Sequence, residues 1–176
     1  MTTDRDLAAE MASPKYAYIE RERRWLADRS LVSSLCADEA TLIDDLYIAE
    51  TRLRLRRMTR RDGWVSYKLT KKYESLNAAE RPIVTTYLQQ GEYDVLASLS
   101  GRRILKQRHS LPYGDHHWSI DCFEGRLSGL VIAELEIADA ALLKSINVPH
   151  WALCEITHQQ RWQGGALAQL EQIPED

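Results

Sequence analysis

Three cysteines, Cys36, Cys122 and Cys154, are all that the 176 residues supply, and they lie far apart. They are too few and too scattered for a disulfide framework or a zinc cluster, so a reducing cytoplasm is the expected setting. No apolar run approaches the roughly 20 residues that a membrane-crossing helix needs, and the first residues lack the apolar stretch of a secretion signal. Internal repeats, low-complexity tracts and Gly/Ser linkers are absent as well. An excess of charge is missing too: 23 Lys and Arg face 26 Asp and Glu, for a formal net charge of −3. That balance argues against a nucleic-acid binder held by bulk charge. Neither a membrane nor a nucleic-acid partner is expected, and composition is silent on oligomeric state.

What is present reads as one soluble domain, with 44% apolar and 28% charged residues. Residues 1–14, MTTDRDLAAEMASP, are polar and end in proline, as a loose tail would. The folded domain is expected over 15–170, with QIPED as a second tail. Between the tails, segments of period two recur. ETRLRLRRMT and WVSYKLTKKY flank RRDG, and Asp-Gly between alternating segments signals a type I′ hairpin. RPIVTTYL, RRILKQRHS, HWSIDCFE, LSGLVIAELEI and HWALCEIT read as further strands. With the opening YIERERRWLAD they make about eight. Helices are expected in SLVSSLCADEATLIDDL, capped by Ser30, and in GEYDVLASL, ADAALLKSI and GGALAQLEQI. The fold class is α+β, an antiparallel barrel or strongly curved sheet with flanking helices.

Strand parity sorts the charges. In the opening segment Glu20, Glu22 and Arg24 share a face, opposite Ile19, Arg21, Arg23 and Trp25. Arg52, Arg54 and Arg56 share another, as do Lys68, Thr70 and Lys72, then Lys106 and Arg108, then Glu134 and Glu136. Any one half-exposed strand alternates in this way. Here, however, the intervening Leu53, Leu55, Leu105, Ala133, Leu135 and Ile137 are apolar enough to pack under helices. The charged faces would then line the inside of a closed sheet. An interior of both signs is costly to dehydrate unless it stays wet and binds something ionic. Paired carboxylates suit a hard cation such as Mg²⁺ or Mn²⁺, and Arg and Lys suit phosphate oxygens. Together they describe a metal–polyphosphate site.

The same residues resemble the CYTH superfamily, the triphosphate tunnel metalloenzymes. IERERRWL resembles the family's ExExK signature through Glu20, Glu22 and Arg24. TRLRLRR is similar to its R-x-R strand, YKLTKK to its LT-x-K strand with Lys72 at the lysine, and RRILKQRH to its K-x-R strand. HWSIDCFEGRLSGLVIAELEI resembles an aromatic-x-x-Asp strand, a Gly turn and then Glu-x-Glu; PHWALCEIT resembles the closing segment with Glu155. The match runs in order over about residues 15 to 165. It implies an eight-stranded antiparallel barrel whose tunnel hydrolyses or cyclises triphosphate substrates with a divalent metal. Two departures stand out. Arg24 replaces the motif's lysine, which keeps the charge but cannot carry a proton. RPIVTTYL offers Thr85 and Thr86 where acids are frequent.

The resemblance implies a small triphosphate substrate, inorganic tripolyphosphate first, held by Arg24, Arg52, Arg54, Lys72, Lys106 and Arg108. Glu20, Glu22, Glu134, Glu136 and Glu155 would hold Mg²⁺ or Mn²⁺, and Arg24, Lys72 and Asp121 are the candidate catalytic residues. Adenylate cyclase-type or thiamine triphosphatase activity, or non-catalytic polyphosphate or nucleotide binding, are the alternatives. His116 and His117 are adjacent and point apart, which does not suit a metal pair. Trp118, Trp151 and Trp162 are assigned to packing.

Overall fold

A computed structural model describes residues 14–35 and 39–174. Nearly all of the expected N-terminal tail, and Cys36, lie outside the described residues. In chain order the elements are β1 (Tyr18–Ala27), β2 (Thr41–Ile48), β3 (Leu53–Thr59), β4 (Val65–Lys72) and β5 (Glu80–Leu88). Then come α1 (Gln90–Ala97), β6 (Gly101–Tyr113), β7 (His116–Phe123), β8 (Val131–Glu136), α2 (Ala140–Ser145), β9 (Ala152–Glu155) and α3 (Gly164–Leu167).

The strands run in the order β5-β4-β3-β2-β6-β7-β8-β1-β9, and a further pairing of β5 with β1 closes the first eight into an antiparallel barrel. β1 makes the closure. Its Tyr18–Arg21 part pairs with β5, and Glu22–Leu26 pairs with β8 along the other edge. Beyond β5, Trp25–Ala27 pairs with β9, which lies outside the barrel as an extension. The expected eight strands therefore included β9 and omitted β2.

That omission is the main correction. The segment expected as a helix over 30–46 is instead a 3₁₀ turn at Arg29–Ser34 followed by β2. Asp28, not Ser30, caps the turn, accepting from Ser30 N at 2.8 Å. Leucines at 31, 35, 42 and 46 fit a helical stripe. The run from Thr41 to Ile48 fits period two as well, and pairing with β3 on one side and β6 on the other decides for strand. The β3–β4 hairpin stands, but its turn is not type I′. Arg60 N donates to Trp64 O at 3.0 Å and Gly63 N to Arg60 O at 3.1 Å. Only Gly63 takes a positive φ, of 88°. This is a type I turn closed by a glycine bulge, in which Asp62 keeps ordinary backbone geometry.

Packing outside the barrel matches the parity argument except at Leu105, which is 38% exposed and joins no core cluster among the described residues. Leu46, Ile48 and Leu55 lie under Tyr93 of α1. Trp25, Trp118, Ala133 and Leu135 lie under Leu143 of α2 and Trp151. α1 begins with Glu92 accepting from Gln89 N at 2.7 Å, and α2 with Asp139 accepting from Ala141 N at 2.8 Å. A third cluster sits at one end of the barrel. There Ile104, Phe123 and Ile132 occupy the inward parity and are covered by Ile156, Trp162 and Leu167. Ile173 of the expected second tail packs on this cluster. Among the described residues no helix is long and apolar enough to cross a membrane.

Candidate active site

The barrel encloses a cavity of about 300 Å³ lined by eight basic side chains and five carboxylates. Glu20, Glu22, Arg24, Arg52, Arg54, Lys72, Lys106, Arg108, Glu134 and Glu136 all reach it, so the parity reading brings ten of the proposed residues together. Asp121 shares the inward face of Ser119 and Phe123 without lining the cavity; it is fully buried, and its carboxylate accepts from Lys106 and from Arg108 Nε at 2.6 Å.

The deep charges are paired. Glu134 accepts from Arg24 Nε at 3.0 Å through one oxygen and from Arg108 through the other. Burial works to raise the Glu134 carboxyl, but Arg108, Lys106 and Arg24 outweigh it and hold the group well below the ordinary carboxylate range. Arg24 is only 5% exposed, and its Nη1 donates to Trp162 O at 2.9 Å. Two of its three guanidinium nitrogens are thus committed to protein partners. Burial lowers the Lys106 ammonium below its usual value despite Asp121 alongside.

Sequence reading missed Asp45, because it lay in the segment taken for a helix. It is 1% exposed and accepts a two-pronged hydrogen bond from Arg56, at 2.6 and 2.7 Å. Burial works to raise its carboxyl, and Arg56 and Arg54 together hold it well below the ordinary range. The alternation Ile43, Asp45, Tyr47 was the signal that could have found it. Arg81 of β5 was also missed. It lines the cavity opposite Glu20 in the strand register, and among the described residues no side-chain partner meets it. Of the two threonines in that strand, Thr85 shares the inward parity of Arg81 and hydrogen-bonds Thr70 at 3.0 Å.

The outer part of the cavity is less completely paired. Glu20 and Glu22 share the single ammonium of Lys72. Glu136 lies directly across from Glu22 in the strand register. Burial, then the charges on Glu20 and Glu22, hold the Glu136 carboxyl above its ordinary value. Arg54 Nε is buried with no hydrogen-bond partner, its closest carboxylate oxygen being on Asp45 at 3.7 Å. Arg52 reaches only Glu74, at 2.6 Å, where both side chains are well exposed.

Glu155 is the residue the structure removes from the expected metal set. It lies outside the barrel on β9, accepts from Arg23 at 3.0 and 2.6 Å and from Thr157 at 2.7 Å, and lines a separate cleft with Arg21 and Lys144. Glu134 stays in the cavity, but both its oxygens are occupied by bases. The oxygen donors that remain, Glu20, Glu22 and Glu136, suit a hard divalent cation: Glu20 and Glu22 have one ammonium between them, and Glu136, across from Glu22, is met by the Tyr18 hydroxyl at 3.3 Å. Among the described residues no three potential ligands are already drawn together around a point.

An eight-stranded closed barrel with a charged interior and flanking helices is the CYTH-type triphosphate-tunnel fold. Two crystal structures of NE1496, one named as the inorganic triphosphatase, share it with a TM-score of 0.54 at 24% identity; that one covers 89% of this chain and 97% of its own, the other 88% and 99%. A Bacillus halodurans protein provisionally named as an adenylate cyclase superposes with a TM-score of 0.53 at 15% identity, over 73% of this chain and 86% of its own. No family model matches the chain, and no curated protein matches it.

Proposed function

We propose that the protein is a metal-dependent phosphohydrolase of short linear triphosphates, with inorganic tripolyphosphate as its preferred substrate. The observation that carries this reading is the basic wall of Arg52, Arg54 and Arg81. These are permanent cations in the cavity wall, and the buried Nε of Arg54 lacks a hydrogen-bond partner. Unsatisfied buried donors are costly, and an anionic oxygen is the partner that relieves them. A cavity of about 300 Å³ lies at the small end of ligand sites, which suits a chain of phosphates better than a nucleotide.

In this reading Arg52, Arg54 and Arg81 bind and orient the phosphates, and their charge stabilises the transferring phosphoryl group. Lys106 and Arg108 supply positive potential from deeper in the wall, themselves held in place by Asp121 and Glu134. Glu20, Glu22 and Glu136 would hold Mg²⁺ or Mn²⁺, and Lys72 between them would turn from counterion to phosphate ligand. The metal, when bound, neutralises phosphate charge and activates a water.

The test is phosphate release from tripolyphosphate, ATP and thiamine triphosphate with Mg²⁺ or Mn²⁺, with detection of cyclic nucleotide alongside. Tripolyphosphate should be turned over fastest. Cyclic nucleotide from ATP would move the assignment to a cyclase, and binding without turnover would move it to a polyphosphate-binding module.

A further inference from the structure

After β9 the chain returns across one end of the barrel. Gln163, Gly164 and Gly165 stand in the cavity wall beside Tyr47. A Cβ on Gly164 would lie 2.0 Å from Tyr47 Oη, so backbone is pressed directly against the tyrosine hydroxyl. Behind this wall Trp162 and Leu167 pack on the inward-facing Ile104 and Phe123. Three residues of the segment, Ile156, Thr157 and Trp162, hydrogen-bond to Arg24. Ile156 N donates to Arg24 O at 2.8 Å, Arg24 N to Thr157 Oγ1 at 3.0 Å, and Arg24 Nη1 to Trp162 O at 2.9 Å. Gln163 Nε2 donates back to Thr157 O at 3.2 Å.

We propose that Arg24 is a positioning residue that fixes the C-terminal segment as the end wall of the tunnel, and that this wall limits the tunnel to short anions. The limit on substrate rests on the reading of the cavity as a polyphosphate site; the anchoring does not. A planar guanidinium can serve Glu134 with Nε and the Trp162 carbonyl with Nη1, two partners in fixed directions. A lysine here keeps its charge beside Glu134 and gives up the carbonyl. Tyr47 lies opposite Arg54 in the strand register, so the wall adjoins the basic side chains that would grip phosphate. A chain longer than the cavity must then pass where Gln163–Gly165 stand.

The experiment compares the full-length protein with Arg24→Lys on tripolyphosphate and on long-chain polyphosphate, and follows trypsin cleavage after Arg161. The natural protein should favour tripolyphosphate. In Arg24→Lys the ratio of kcat/KM for the long chain over the short one should rise about tenfold, mainly through KM. Cleavage after Arg161 should quicken while cleavage in the Arg60–Arg61 loop keeps its rate. Gln163→Ala, which trims the wall without touching Arg24, should shift the ratio in the same direction and keeps the wall testable if Arg24→Lys does not fold. An unchanged ratio in the folded variants overturns the wall. Unchanged protection at Arg161 in Arg24→Lys overturns the anchor. Absence of turnover of any polyphosphate by the natural protein would sink the proposed function, and with it the substrate limit, while the cleavage pattern still decides the anchor.

Discussion

The interior of the barrel holds two charged regions built to different rules. In the deep one, Asp45, Asp121 and Glu134 are each met by two or more bases, and the acids are held as firm anions. In the outer one, Glu20 and Glu22 share one ammonium, and Glu136 lies across from Glu22. Arg52 reaches the exposed Glu74, Arg54 keeps a buried Nε without a hydrogen bond beside Asp45, and Arg81 meets no side-chain partner among the described residues. The difference separates architecture from chemistry. Satisfied buried ion pairs are costly to break and have little capacity left for a ligand. Underpaired charges in a wet cavity add less to folding and keep their capacity for something that arrives.

The sharpest way to break this comparison is Asp45→Asn. It leaves the Arg56 guanidinium, and the Arg54 guanidinium beside it, without their anion. It should cost about 3–5 kcal/mol in denaturant unfolding, whereas Glu20→Gln in the outer region should cost less than about 1 kcal/mol. Equal losses would erase the distinction. The pH dependence follows the same line. Asp45, Asp121 and Glu134 have folded pKa values below their unfolded ones, so their contribution is complete above the ordinary carboxylate range. It is lost as pH falls through the depressed folded values. The unfolding midpoint should therefore be insensitive to these groups between about pH 5 and 7 and fall only in stronger acid.

Glu22→Gln tests the outer region. Metal-dependent phosphate release should drop ~100-fold or more with the unfolding midpoint nearly unchanged, as for loss of a charge that acts on the transition state. Retained activity would remove β1 from the cation site. Arg54→Ala comes next, with a loss of about 1.5–3 kcal/mol in tripolyphosphate binding, since one charge-assisted contact disappears. Arg54→Lys should recover part of this, because an ammonium replaces the fork with a point charge. Titration calorimetry of both variants reads the effect, and unchanged affinity would place the orphaned Nε outside the phosphate path.

Much of this was legible in the chain because the signals were local. Glu20, Glu22 and Arg24 are spaced by two on a strand whose other face carries Trp25, and parity alone sent them inward. The same held for Arg52 with Arg54 and for Lys106 with Arg108. Asp45 was hidden because leucines at 31, 35, 42 and 46 also satisfy a helical period, and only the distant partners of β2 break the tie. Arg81 was hidden for a plainer reason: beside Pro82 it looked like the start of a strand rather than part of a wall. The anchoring role of Arg24 had no sequence signal at all. It depends on a carbonyl 138 residues further along.

The smallest expected effect falls on Glu155, and it bears on where the barrel stops. In sequence this glutamate closes the motif series and belongs with the metal ligands. In the fold β9 is an extension beyond the eight closed strands, so its side chains face the outer cleft and Glu155 meets Arg23 there. Arg23 is also held by the Leu143 carbonyl at the end of α2, at 3.2 Å, and would keep that partner. Partly exposed pairs of this kind contribute about 0–1 kcal/mol. Glu155→Gln should therefore change unfolding free energy by less than about 1 kcal/mol and leave kcat/KM for tripolyphosphate within about twofold. The amide oxygen can still accept from Thr157, which also receives the backbone N–H of Arg24. Assayed beside Glu22→Gln at limiting metal, the two variants should diverge sharply. Should Glu155→Gln instead raise the metal requirement as Glu22→Gln does, β9 would have to turn inward with cation bound, and the outer region would extend past the eight strands.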